Sequence, residues 1–124
     1  MKRTIASPDA PKAIGPYSQA IEVNGMLFAS GQLPLNPATG KLAEGIEAQT
    51  RQSLTNIGAI LKEAGYGFND VVKTTVLLAD IADFGAMNAA YAEFFPENKP
   101  ARVCYQVAAL PMGALVEIDA VAGK

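Results

Sequence analysis

The chain contains no histidine and a single cysteine, Cys104. The first absence removes the side chain that most often serves as a general base near neutral pH, and the commonest metal ligand with it. Together the two shortages leave no donor set for a zinc site, and only carboxylate-bound Mg²⁺ or Ca²⁺ stays chemically open. A Ser-His-Asp or Cys-His arrangement within one chain is excluded. So is an intramolecular disulfide, which makes a reducing compartment the simpler setting. No stretch approaches the roughly 18 apolar residues of a membrane span, and Met1-Lys2-Arg3-Thr4-Ile5 lacks the apolar run of a signal peptide. A soluble, cytoplasmic protein with no membrane partner is expected. A positive surplus is missing as well, with ten Lys and Arg against twelve Asp and Glu and a net charge of −2. Nucleic-acid binding gains its affinity from released phosphate counterions, so no nucleic-acid partner is expected. Catalysis must run on Arg, Glu, Asp, Tyr, Ser, Lys, Cys and backbone groups.

What is present is a chain of 124 residues, half of them hydrophobic and 18% charged, which suits one packed domain over residues 1–124. Ser18 to Ser30 reads as two strands around Asn24-Gly25, a pair that tolerates the positive φ of a tight hairpin turn. Gly31 to Gly45, with Pro34, Pro37 and Gly40, reads as an ordered loop. From Ile46 to Ala64 the residues Leu54, Ile57, Ile60, Leu61 and Ala64 recur at helical spacing, and Gly65 is a natural stop. Val71 to Leu78 is a β-branched, buried strand. Asp83 is placed to cap a second helix whose one face carries Phe84, Met87, Tyr91, Phe94 and Phe95, ended by Pro96. Ala101 to Val107 and Leu115 to Val121 complete an α+β domain, a sheet with both helices on one face. On the strand around Lys73 the residues opposite Val72, Thr74 and Val76 are Lys73, Thr75 and Leu77. A face so mixed in polarity calls for cover, and self-association would supply it.

Two side chains stand out chemically. Arg102 opens an otherwise apolar strand, on the same side as Cys104 and Gln106, and a guanidinium there needs an anionic partner or exposure. Arginine holds a carboxylate through two parallel N–H donors, which suits a carboxylate ligand. The plainer reading is an internal salt bridge to Glu117 on a neighbouring strand. Glu117 and Asp119 alternate with apolar residues in Leu115 to Val121, so Glu117 is either a solvated strand residue or an acid/base group. Gly31, in Ala29-Ser30-Gly31-Gln32, serves a turn or brings a bare backbone N–H against an anion. Gly15-Pro16 is turn chemistry. Cys104 reads as a small buried residue, and Asn88 and Glu93 as surface groups on the flanks of the second helix.

The segments Ala13-Ile14-Gly15-Pro16-Tyr17-Ser18-Gln19-Ala20 and Ala29-Ser30-Gly31-Gln32-Leu33-Pro34 carry a resemblance that covers nearly the whole chain. Asp70-Val71-Val72-Lys73-Thr74-Thr75-Val76, Pro100-Ala101-Arg102-Val103-Cys104 and Leu115-Val116-Glu117-Ile118-Asp119-Ala120 extend it. With these the chain resembles the RidA/YjgF family of reactive-intermediate deaminases. The resemblance implies a chorismate-mutase-like α+β fold and a homotrimer with three clefts between subunits. It implies hydrolysis of 2-iminopropanoate and 2-iminobutanoate to 2-keto acids, with no metal and no organic cofactor. It makes Arg102 the carboxylate clamp and Glu117 the group that handles water and protons. Tyr17, Ser30, Gly31 and Cys104 match cleft-lining, substrate-binding positions. The chain departs from the commonest family pattern at Ala109 and Pro111-Met112-Gly113, where many relatives carry a second arginine and a Pro-Lys-Asp turn.

Two other readings compete. One is a non-catalytic trimer that binds keto acids or related metabolites for regulation; it would require Arg102 but could dispense with Glu117. The other, RNA binding or cleavage, is disfavoured by the negative charge and the absent histidine. Imine hydrolysis by this chain is expected to survive exhaustive dialysis against EDTA, because no transition-metal ligand set is available. A lost rate restored by Zn²⁺ or Mn²⁺ in a semicarbazide-trapping assay would overturn that expectation.

Overall fold

Asn24 and Gly25 adopt φ of 50° and 74°, the paired positive values of a two-residue hairpin turn. They join β2 (Ala20–Val23) to β3 (Met26–Gln32) in the computed structural model, which describes residues 1–124. The remaining elements are β1 (Arg3–Ile5), α1 (Ile46–Ala64), β4 (Val71–Leu78), α2 (Phe84–Tyr91), β5 (Ala101–Gln106) and β6 (Val116–Gly123). The six strands form one sheet in the order β1-β2-β3-β6-β4-β5. Every neighbouring pair is antiparallel except β4 and β5, which run parallel with α2 between them in sequence. That mixed pattern follows from chain economy, since a parallel pair needs a crossover and a helix supplies it.

Both helices lie on one face of this sheet, as the patterning predicts. α1 packs on β3 and β6, and α2 packs beside α1. Leu54, Ile57, Ile60 and Leu61 of α1 meet Leu27, Val76, Leu78, Val116 and Ile118 of the sheet in a single apolar core. Gly65 caps α1 at φ 85°, with N–H bonds from Gly65 and Tyr66 back to the last turn. The other face of the sheet carries Phe28, Val103 and Tyr105, each between 42% and 48% exposed.

Several expectations are corrected. The N-terminal segment forms β1, whose Arg3 pairs with Glu22 at 2.9 Å; three residues are too few for a periodicity signal. α2 stops at Tyr91; Phe94 lies in the turn that follows, and Phe95 comes after it. Asp83 makes no side-chain cap there. Asp80 instead accepts from the Ala82 N–H at 2.9 Å and starts the preceding single turn of 3₁₀ helix. A bulge between Val71 and Lys73 sends Val71 to the core and leaves Val72 48% exposed, so Val72 does not share the face of Thr74 and Val76. β4 also lies between β5 and β6, so the strands of Arg102 and Glu117 are not neighbours.

The first half of α1 buries polar residues beside Leu54. Ser53 donates to the Gln32 carbonyl at 2.9 Å, and Asn56 donates to the carbonyls of Leu33 and Leu35 at 3.1 and 2.9 Å. Gln49 donates to the Ala43 carbonyl and accepts from the Leu115 N–H. These bonds fix the loop after β3 and the entry to β6, where backbone groups lack a sheet partner. Asn56→Ala is therefore expected to leave two carbonyls unpaired and to lower stability by about 1–3 kcal/mol. Urea denaturation checks this; an unchanged midpoint would show that the loop holds itself.

Candidate active site

Between Ala29 and Gln32 the register of β3 against β6 shifts, so that Ser30 and Gly31 together oppose Asp119. A bulge of this kind bends its strand and re-aims the side chains beside it. Here it opens a notch on the sheet face opposite the helices. Glu117 sits in that notch directly against Gly31, and a Cβ added to Gly31 would collide with its carboxylate. Glycine allows this approach, since any side chain there would push the Glu117 carboxylate aside, and backbone torsion does not call for it. The Ser30 hydroxyl donates to the Ser18 carbonyl at 2.6 Å, which ties the bulge to the segment carrying Tyr17. That segment is anchored by buried Gln19, which donates to the carbonyls of Pro11 and Ser7 and accepts from the Ser7 N–H. The result is a cleft of about 460 Å³ whose walls include Tyr17, Ser30, Gly31, Leu33, Met112 and Glu117.

Glu117 is half-buried and makes no hydrogen bond or ion pair within the chain. Burial pushes its pKa above the ordinary glutamate value, and the charge of Asp119 adds to the shift. Asp119 itself accepts from the Thr75 N–H at 3.0 Å. A carboxyl with a raised pKa, facing a cleft, is equipped to exchange protons with a ligand.

Arg102 lies elsewhere. Its register partner is Thr74, a residue buried on the helix side, whereas Leu77, on the opposite side, is the partner of Glu117. The two residues thus occupy opposite faces of one sheet, and the internal salt bridge between them does not form. Arg102 instead donates to Asn88 Oδ1 at 2.7 Å, with its guanidinium 4.8 Å from the Tyr91 ring centre and 5.5 Å from that of Phe84. A second cavity, of about 380 Å³, brings Arg102 together with Asn88, Tyr91 and Lys99. Cys104 follows Arg102 on the helix side, packed against the core, and burial raises its pKa while Arg102 opposes the shift. Such a thiol is a poor nucleophile. Of the residues singled out by sequence, Tyr17, Ser30, Gly31 and Glu117 therefore meet in one cleft, and Arg102 and Cys104 stand apart from it. Asn88, expected among surface groups, instead accepts the Arg102 hydrogen bond and lines the second cavity. Its spacing of four residues after Phe84 and three before Tyr91 marks it as a member of the aromatic stripe. No group of three or more His, Cys, Asp or Glu side chains is gathered as a metal site.

A family model described as Endoribonuclease L-PSP matches residues 7–124. The chain belongs to this family, RidA/YjgF. Goat 2-iminobutanoate/2-iminopropanoate deaminase is 54% identical over 123 residues, covering 98% of this chain and 90% of the relative. Among solved structures, the YjgF gene product of E. coli superposes with a TM-score of 0.95 at 46% identity, and each chain is covered to 98%. E. coli TdcF with bound serine gives a TM-score of 0.95 at 41% identity, again with 98% of both chains covered. The RidA/YjgF fold assigned to the sequence is thus the fold of this chain.

The raised pKa of Glu117 has a consequence for stability. The folded chain holds this proton more tightly than the unfolded chain does. Its contribution is therefore present below the ordinary glutamate pKa and lost as pH rises through the higher folded value. Glu117→Gln carries no such loss. The variant is expected to melt above the wild type at pH 8, with the difference vanishing near pH 3, where the carboxyl is protonated in both states. A lower melting temperature at pH 8 would show that the carboxylate is stabilised in the fold.

Proposed function

We propose that the chain is a hydrolytic deaminase of 2-imino acids such as 2-iminobutanoate and 2-iminopropanoate, acting in clefts between the subunits of a homotrimer. The observation that carries this reading is that Arg102 and Glu117 are both free of ion pairs, and that they lie on opposite faces of one sheet. Each is half-buried without an opposite charge, an arrangement that costs stability and is retained where a ligand supplies the missing partner. A second copy packed on the exposed apolar residues Phe28, Val103 and Tyr105 would cover the face that carries Glu117, and the reading requires that this packing bring Arg102, on the edge strand β5 of one chain, to another chain's Glu117. The name of the goat relative and the serine bound to TdcF, an amino acid with a carboxylate to hold, support the same substrate class.

The chemistry asks little beyond placement. The C2 carbon of a protonated 2-imino acid is already electrophilic, so water can add without a metal or a covalent intermediate. Arg102 takes the substrate carboxylate through two parallel N–H donors, with the Gly31 N–H as a further donor. Glu117, as carboxylate, accepts a proton from the attacking water as the C–O bond forms. Glu117 returns that proton to the carbinolamine nitrogen, the C–N bond breaks with release of ammonia, and the hydroxyl proton passes to the regenerated Glu117 carboxylate, and from there to solvent, as the C=O forms. A pKa raised above the ordinary glutamate value favours the return of the proton to the leaving nitrogen. Tyr17 and Ser30 shape the cleft wall, and Cys104 contributes bulk beside Arg102. The endoribonuclease description of the family model is not carried over, since the chain has no histidine and a net charge of −2.

Arg102→Ala and Glu117→Gln are each expected to lower turnover roughly 100-fold or more, with Arg102→Lys close to Arg102→Ala because lysine lacks the planar fork. Co-refolding equal amounts of Arg102→Ala and Glu117→Gln should then recover activity. Each wild-type residue comes from half of the chains, so about a quarter of the intersubunit clefts regain both. Imine hydrolysis followed by semicarbazide trapping, with light scattering on the same samples, reads the result. No recovery in correctly assembled mixtures would place both residues in one chain's site or outside the reaction. Keto-acid binding with no wild-type hydrolysis would make the protein a binding module.

A further inference from the structure

The chain has three arginines, Arg3, Arg51 and Arg102. Arg3 pairs with Glu22 and Arg51 with Glu93, each at 2.9 Å. Arg102 alone is held by an amide, the side chain of Asn88, at 2.7 Å. Phe84, Asn88 and Tyr91 succeed one another along α2 at steps of four and three residues, the spacing of one helix face. All three meet the Arg102 guanidinium. The Tyr91 ring is itself fixed, because its hydroxyl shares a 2.7 Å hydrogen bond with Thr74, a buried residue and the register partner of Arg102.

We infer that Asn88 is a positioning residue for the imine-hydrolysing site, chosen for being a neutral acceptor. The inference rests on the reading of Arg102 as the carboxylate anchor. A guanidinium has five N–H donors, and Asn88 engages one of them within the chain. That bond and the two aromatic faces hold the planar group in one orientation, which reduces the conformational entropy lost when a ligand carboxylate binds. A carboxylate in the place of Asn88 would fix the guanidinium equally well. It would also form a bidentate pair with it, neutralise its charge and compete with the substrate. The amide separates the two effects, orienting the cation and leaving its charge for the ligand.

The test is a titration with 2-ketobutyrate, the product-like carboxylate, on folded Asn88→Ala, Asn88→Asp and Arg102→Ala proteins, alongside imine hydrolysis. Loss of orientation should weaken binding by Asn88→Ala about 10-fold, and loss of charge should weaken Asn88→Asp further, to about 100-fold. KM should rise in the same order, with kcat changed less than KM. A merely structural asparagine predicts the reverse, because the near-isosteric aspartate would preserve packing and stability better than alanine. Aspartate binding as tightly as alanine, or tighter, overturns the inference. If Asn88→Asp misfolds, Asn88→Ser serves instead. Its shorter neutral hydroxyl should bind between wild type and Asn88→Ala, and binding weaker than that of Asn88→Ala overturns the inference. Arg102→Ala separates the two layers of the argument. Lost binding there with wild-type behaviour in the Asn88 variants removes only the role of Asn88, whereas retained binding in Arg102→Ala removes the anchor and the inference together.

Discussion

Ser30 and Gly31 occupy on β3 the stretch that Asp119 alone occupies on β6, and the cleft depends on that mismatch. A regular ladder would carry β3 past Glu117 with a side chain at every second position, and a Cβ at residue 31 would meet the carboxylate. The bulge takes up the extra residue and glycine removes the obstruction, so Glu117 is packed against backbone. Burial in the notch raises its pKa, and the charge of Asp119 adds to the shift. The bulge also breaks the ladder, which leaves backbone groups of the following loop in need of partners. Ser53 and Asn56 of α1 supply them, and this accounts for polar side chains at fully buried positions of a core-facing helix.

Much of the architecture was legible because it rests on short-range signals. The Asn24-Gly25 turn, the extent of α1 and its glycine stop, and the placement of both helices on one face follow from local torsion and periodicity. What escaped was long-range or polar. Nothing in the spacing of Arg102 and Glu117 reveals that β4 enters the sheet between their strands, since strand order is decided by packing over the whole chain. Side-chain alternation holds within β5 and β6, yet the relative facing of two strands requires the register. The bulge at Val71 shows the same limit, since one extra residue sends Val72 outward. Asn88 was read as surface because asparagine in a helix usually is, although its position on the Phe84–Tyr91 stripe was available. Family likeness named Arg102, Glu117, Tyr17, Ser30, Gly31 and Cys104 and implied clefts between subunits, and the register shows which of them one chain keeps together and which it keeps apart.

The way this chain treats charge separates scaffold from site. Arg3 and Arg51 are matched with glutamates at the surface, where an ion pair is cheap and contributes little. At the two partly buried positions, where an opposite charge would contribute most, the chain supplies none. Glu117 is given glycine backbone and a neighbouring acid; Arg102 is given an amide and two aromatic rings. These neutral neighbours restrict motion without cancelling charge, and they leave two groups of opposite sign half-buried and uncompensated. Pairing them with each other would be the simplest way to lower the energy of the folded chain. The parallel insertion of β4 beside β5 prevents this by fixing the two on opposite faces of a sheet that no side chain can cross. In the proposed reaction, a second subunit and a zwitterion-like substrate supply what the chain withholds from itself. The carboxylate meets the cation and the water-bearing carbon meets the base, so the stability forgone in folding is available as binding energy where the chemistry occurs.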